Sequence, residues 1–389
     1  MPKTCLMIVA GERSGDVYGA ELAAALRSRL GDAEIFGCGG EAMRRAGVHT
    51  VVDAHNVTMV GIAEILSGLP RVYRAFHALL AEVDRRRPRL AVLIDFPDFN
   101  LRLARKLKRR GIPVVYFVSP QIWAWRKGRI QQLKANISKM LCIFEFEEKI
   151  YREAAIPVEY VGHPMVDLVR THLSREEFFA KAGLDPAIPT VALLPGSRRK
   201  EVAYNLPPML DAATRMTVSR NLQFVVAVAP TLDSVWMEST LLECYIGRAT
   251  VRTVKQATYD ALQHCDVAVV ASGTATIEAT LRERPMVVVY RVSPLTWLIG
   301  KFLVDVPFYS MVNLLAGKPV VPELIQHDFS APNLASQLEY LLDHSEARAR
   351  MAEELRSVKA RLGPGGAISR AAEAVLGVLR GGGATLSTL

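Results

Sequence analysis

Short apolar runs punctuate the chain, and each gives way to a polar or amphipathic stretch. In the first half the runs are TCLMIVA (4–10), EIFGCG (34–39), LAVLID (90–95), PVVYFVS (113–119), KMLCIF (139–144) and VEYVG (158–162). Runs of this length, rich in Val, Ile and Leu on both faces, predict strands of a parallel sheet covered by helices. After GHPMVDLV (162–169) the same βα alternation restarts with TVALLPG, LQFVVAVAP, DVAVVASG and PMVVVYR. The restart predicts two α/β domains, 1–168 and 169–361. A last helical segment, about 362–389, is expected to pack back on the first domain or on a partner subunit, with a frayed Gly-rich end.

Composition agrees with this pattern and narrows the class. The chain has 389 residues, half of them apolar and 22% charged, which suits a two-domain globular enzyme. Its five cysteines (Cys5, Cys38, Cys142, Cys244, Cys265) form no CxxC pair, and its eight histidines show no ligand spacing. Reduced thiols, a cytoplasmic setting and no metal are therefore expected. The opening MPKTCLMIVAGE is too short in its apolar part for a signal-peptide core and is expected to be a first strand. Net charge is concentrated in the front half, where residues 1–165 hold 25 Lys and Arg against 17 Asp and Glu, while residues 166–389 hold 23 against 22. Clusters such as DRRRPR (84–89) and RKLKRRG (105–111) suit an anionic partner, whether phospholipid, nucleic acid or a phosphorylated substrate, and equally suit a solvated helix face.

Open parallel sheets bind ligands at the carboxyl ends of their strands, so the residues that follow each run carry the chemistry. In LLPGSRRKE (193–201), Gly196 and Ser197 permit close backbone approach, and Arg198 offers a fork of donors to a phosphate ahead of a helix starting near Lys200. In VVASGTATIEATL (269–281), Ser272, Gly273 and Thr274 lead straight into a helix whose free N–H groups favour an anion. Glu278, one turn inside, either accepts the hydroxyl protons of a ribose or is a glutamate matched to the helix dipole. The chain lacks GxGxxG after its first strand, GxxxxGK[ST], and any DxD pair. Hydride transfer and P-loop chemistry are thereby disfavoured, and a nucleotide diphosphate held without a metal reads as a leaving group in sugar transfer.

The strings AGERSGD, IDFPDFN, VSPQIWAWR, VGHPM, LLPGSR, ASGTATIE, VYRVSP and VNLLAGK, in that order, resemble the motif series of the lipid-A-disaccharide synthases, glycosyltransferase family 19. The resemblance spans almost the whole chain; Arg13 stands where the family's first motif usually has Thr. It implies a GT-B fold, two Rossmann-like domains facing each other across a cleft. It also implies an inverting transfer without metal or cofactor, joining UDP-2,3-diacylglucosamine to 2,3-diacylglucosamine 1-phosphate with release of UDP. A UDP-N-acetylglucosamine 2-epimerase of the same architecture is the alternative, and a non-catalytic polyanion-binding module is a third class. The implied setting is the cytoplasmic face of the inner membrane, bound peripherally to anionic lipid, with no nucleic-acid partner and a homodimer left open.

Asp95 ends an apolar strand, the place for a general base that takes the proton of the acceptor's 6-hydroxyl. Burial on one side should raise its pKa. Asp98, after Pro97, is expected to be a helix N-cap. By resemblance, Asn313 and Gln326 approach the donor, while Glu12, Ser14, Ser119, Trp123 and Arg126 lie on the acceptor side. Trp123, Trp125 and the cations after them suit either an amphipathic wall or core packing. In 60–76, Ile65, Leu69, Val72 and Phe76 recur at helix-like intervals beside Arg71 and Arg74, which suits a membrane-contact helix or a core helix, and the basic excess of the front half favours the membrane contact. The apolar stretch 292–304 is broken by Pro294 and Lys301, too short to span a membrane and expected in the core.

Overall fold

The computed structural model describes residues 3–54, 57, 62–120, 128–244, 247, 249–294, 297 and 307–381, with 62–68 described by backbone alone. Trp123, Trp125 and Arg126 lie outside the described residues, as do the side chain of Ile65 and most of 292–304. The chain divides into two compact units, one of residues 1–167 with 362–389 and one of residues 168–361.

The first unit is a seven-stranded sheet of β1 (Thr4–Ala10), β2 (Ala33–Gly39), β3 (His49–Asp53), β4 (Leu90–Ile94), β5 (Val114–Phe117), β6 (Lys139–Cys142) and β7 (Val158–Tyr160), in the order β3-β2-β1-β4-β5-β6-β7. Every pairing is parallel. β1, β4 and β5 are buried along their lengths, as strands covered by helices on both faces must be. The order reverses between β1 and β4, so the crevice of this sheet opens where those two strands end.

The second unit repeats the plan. β8 (Thr190–Leu194), β9 (Gln223–Val228), β10 (Thr250–Lys255), β11 (Val267–Ala271), β12 (Met286–Tyr290) and β13 (Glu323–Ile325) form a six-stranded parallel sheet in the order β10-β9-β8-β11-β12-β13. Its reversal lies between β8 and β11. Each unit packs its own core, one around Met7, Leu93, Leu103 and Tyr116 and the other around Leu193, Phe224, Val269 and Leu338.

The helix Ala367–Gly381 belongs to the first unit, where it packs on the helix Arg13–Leu30 and Arg29 bonds Ser369 at 2.6 Å. The returning chain is tied down by Arg370, whose guanidinium donates to the Val161 carbonyl at 2.7 and 2.9 Å, and by Asp167, which accepts from the Gly366 N–H at 2.7 Å. No helix among the described residues is long and apolar enough to cross a membrane.

The helix Ile62–Arg86 differs from the expected lipid face. It turns Val72 and Phe76 onto the front core, where Phe76 meets Phe99 edge-on at 5.4 Å, and leaves Leu69 and Tyr73 exposed beside Arg71 and Arg74. An intact amphipathic helix on a sheet must spend one stripe on that sheet, so the four positions do not form one solvent-facing surface.

Candidate functional site

In the first unit, the chain leaves β1 through Gly11 and Glu12 and leaves β4 through Asp95 and Phe96, placing both carboxylates at the sheet's reversal point. Glu12 precedes the helix Arg13–Leu30, makes no side-chain cap to it and remains partly exposed. Ser14 is likewise partly exposed in its first turn.

Asp95 and Phe96 both have left-handed backbones, φ 45° and 50°. Residues with a Cβ adopt this region at a cost of about 1–3 kcal/mol each, and Phe96 also precedes Pro97, whose ring disfavours helical backbone there. Packing sustains the turn. A Cβ on Gly11 would lie 2.2 Å from the Phe96 ring, so glycine in the first motif leaves room for the aromatic residue of the second. That ring in turn stacks on Phe99 at 5.3 Å. The Asp95 carboxyl is only partly exposed, and burial pushes its pKa up to about 7, with the Glu12 charge adding to the rise and the Phe96 N–H opposing it.

Two expectations for this unit change, those for Asp98 and Ser119. Asp98 is not the N-cap: Pro97 occupies the first helical position, with Phe96 before it, so the helix Pro97–Lys108 begins one residue ahead of Asp98. Asp98 sits in the first turn, largely exposed, and pairs with the buried Arg129. Ser119 is buried and turned inward, its hydroxyl 2.6 Å from that of Tyr151 and donating to the Pro120 carbonyl at 3.0 Å, so it shapes its loop and presents nothing to an acceptor. Asp16 of the first motif caps a neighbouring helix, accepting from the N–H groups of Gly40, Ala42 and Met43 at 2.6, 3.0 and 3.2 Å.

In the second unit, the loops after four adjacent strands, β8, β11, β12 and β13, fall at one end of the sheet. After β8, Gly196 takes φ 131° with its α-hydrogen toward Glu201, and a Cβ would sit 2.6 Å from the Glu201 Cβ. The Glu201 carboxylate accepts from the Ser197 N–H and from Arg198 Nη1, each at 2.9 Å. Arg198 itself is the residue before the helix Arg199–Met216. Neither charge of this pair is fully buried, which leaves the guanidinium able to turn toward an anion. Tyr290, ending β12, feels both groups: burial raises its pKa, Glu201 raises it further and Arg198 lowers it.

After β11, Ser272 bonds the Tyr309 carbonyl at 2.8 Å, and Gly273 adopts φ 145°, ψ −157°, a region open essentially to glycine alone. The helix Thr274–Leu281 then presents exposed Gly273 and Thr274 at its amino end, with Glu278 partly exposed one turn along. Open N–H groups at such an end are an anion site.

Asn313 differs from expectation. Asn313 is buried and its amide is fully engaged: Nδ2 donates to Val321 O at 2.9 Å and to Glu323 at 2.8 Å, while Oδ1 accepts from the N–H groups of Val320 and Val321. With its bonding capacity used inside the protein, it organises the loop and has none left for a donor. Gln326, just after β13 and with φ 53°, pairs its amide with both backbone polar groups of Val292 at 3.3 Å and so joins the chain beyond two strand ends. Sequence reasoning missed Glu201 and Glu323, the latter accepting from Tyr309, Ser310 and Asn313. Glu201 stands in the quoted LLPGSRRKE string, but only its bonds to the Ser197 N–H and Arg198 show what it does. Among the described residues no group of three or more His, Cys, Asp or Glu is arranged to hold a metal ion.

Two parallel-sheet units, each with chemistry-bearing loops at the carboxyl ends of its strands, define a GT-B type protein. Its solved neighbours have that fold: UDP-GlcNAc 2-epimerase from Neisseria meningitidis bound to UDP-GlcNAc (TM-score 0.63, 11% identity, 96% of this chain and 99% of that one) and the calicheamicin glycosyltransferase CalG4 (TM-score 0.59, 15% identity, 97% and 99%). Sequence identifies the branch. The family profile described as Lipid-A-disaccharide synthetase matches residues 6–375. Curated lipid-A-disaccharide synthases from Koribacter versatilis (strain Ellin345) and Solibacter usitatus (strain Ellin6076) are 47% and 44% identical over 378 and 382 residues, covering 96% and 98% of this chain and 98% of each relative. The chain belongs to the lipid-A-disaccharide synthase family, glycosyltransferases of lipid A biosynthesis.

Proposed function

We propose that the protein joins UDP-2,3-diacylglucosamine to 2,3-diacylglucosamine 1-phosphate with inversion at the anomeric carbon, forming the β-1,6 disaccharide and UDP without a metal. The observation that carries this reading is Asp95 at the reversal point of the first sheet, with its pKa raised to about 7. A base poised there takes the acceptor's 6-hydroxyl proton as the new C–O bond forms and the bond to UDP breaks. Arg198 and the amino end of Thr274–Leu281 suit the charge developing on the leaving diphosphate, and Glu278 suits a ribose. Both acylated substrates should yield disaccharide and UDP. Appearance of the 2-epimer when UDP-N-acetylglucosamine is incubated alone would instead establish the epimerase, a reading to which the solved neighbours lend fold similarity only.

Acylated substrates place the reaction at a membrane surface, and the exposed Leu69 and Tyr73 beside Arg71 and Arg74 suit anionic lipid. Each cation near such a surface contributes about 1 kcal/mol. Leu69→Ser with Tyr73→Ser should weaken sedimentation with anionic vesicles and leave the melting temperature nearly unchanged. Val72→Ser with Phe76→Ser should lower the melting temperature instead, because these side chains pack on the core. Unchanged vesicle binding by the first pair would reject this helix as the contact.

A further inference from the structure

We propose that Asn100 and Tyr116 are positioning residues for the transfer reaction, holding the Asp95 main chain so that its carboxylate is aimed from the end of β4. The inference rests on Asp95 being the base. Two side-chain donors converge on one atom, the Asp95 carbonyl oxygen, with Asn100 Nδ2 at 2.7 Å and Tyr116 Oη at 2.6 Å. Asn100 Nδ2 also reaches the Ile94 carbonyl at 3.2 Å, and the Asp95 N–H donates to Phe117 O at 2.9 Å. Since both neighbours of the Asn100 amide are carbonyl oxygens, only its NH₂ can face them.

Asn100 and Tyr116 are both fully buried, one on the helix that follows the turn and the other on the adjacent strand, so the turn is gripped from two elements. Neither touches the carboxylate, which excludes a catalytic role for them and leaves orientation. A left-handed pair of residues before a proline relaxes toward extended backbone unless neighbours hold it, and these two donors together with Gly11 against the Phe96 ring supply the hold. Burial keeps the Tyr116 hydroxyl protonated across the working range, so it remains a donor. Among the described residues, the ionisable groups that face Asp95 are Glu12 from the loop after β1 and Tyr116 from β5, with Asp98 and Arg129 near Tyr116.

The test compares Tyr116→Phe, which keeps the ring and removes only the hydroxyl, with Asn100→Ala. Loss of aim should lower kcat by about tenfold or more while the donor KM stays within about twofold. A carboxylate released toward water also loses the cause of its raised pKa, so the acidic midpoint of the kcat/KM profile should fall by about one pH unit or more. A residue that only stabilises the fold would shift the melting temperature and leave that midpoint in place. If Asn100→Ala does not fold, Tyr116→Phe decides alone. Folded Tyr116→Phe with wild-type kcat, or with lowered kcat and an unmoved midpoint, overturns the proposal. Asp95→Asn is measured alongside: retained activity there would remove the base assignment itself, whereas a dead Asp95→Asn beside a wild-type Tyr116→Phe would remove only the clamp.

Discussion

Asp95→Asn should lower kcat by about 10²–10⁴-fold, the usual contribution of a positioned base, with UDP affinity close to wild type. Asparagine keeps the shape of the side chain and tolerates a left-handed backbone, so the turn at φ 45° survives and only proton acceptance is lost. Wild-type kcat/KM should rise with pH through about 7 and level off as the carboxylate ionises. Stability should change in the opposite sense. A carboxyl whose folded pKa is near 7 and whose unfolded pKa is about 3.9 binds its proton more tightly when folded, so its contribution is fully present below about pH 4 and is lost as pH rises toward 7. Above pH 7 the ionised group beside Glu12 therefore weakens the fold, and Asp95→Asn should be more stable than wild type at pH 8 by about 1–3 kcal/mol, with the gap closing as pH falls. Asp98→Asn, whose side chain pairs with Arg129, is the control and should keep most of its activity. Wild-type turnover by Asp95→Asn, or a lower melting temperature for it at pH 8, would remove Asp95 from the role of buried base.

How much of this site could be read in the sequence depended on burial. Strands covered on both faces, such as β1, β4, β8 and β11, are written as unbroken apolar runs, and the loop after each is found by where its run stops. The runs missed β3, β10 and β13, which lie at sheet edges, and β10 buries only Val251 and Val254 among exposed and half-buried positions. Loop residues were harder. Asp98 reads as a cap because Asp after a turn usually is one, and only the geometry shows Pro97 taking the first helical position. Asn313 stands in a polar loop like a ligand-binding residue, yet its amide is closed by four bonds inside the protein, a property set by Val320, Val321 and Glu323 and invisible at position 313 alone. Asn100 and Tyr116 were passed over for the converse reason, since a buried Asn and a strand Tyr look like packing until both are seen to meet the Asp95 carbonyl.

Arg198→Ala should reduce kcat/KM for the UDP-sugar by about 30–300-fold, corresponding to about 2–3 kcal/mol for a charge-assisted bond to a diphosphate whose charge grows in the transition state. The guanidinium rests on Glu201, so removing it does more than delete a contact. The Glu201 carboxylate would keep the Ser197 N–H at 2.9 Å but would face the incoming phosphates without its counter-charge. Part of the loss is then repulsion, and Arg198→Ala combined with Glu201→Gln should recover several-fold of the activity that Arg198→Ala alone removes. Arg198→Lys should restore only part, because an ammonium supplies charge without the planar fork. If fixed donors do the work of a metal, activity should persist in EDTA for wild type and every variant. Chelation that abolishes activity and Mg²⁺ that restores it would overturn the metal-free transfer, and a folded Arg198→Ala with unchanged kcat/KM would move the diphosphate away from the loop after β8.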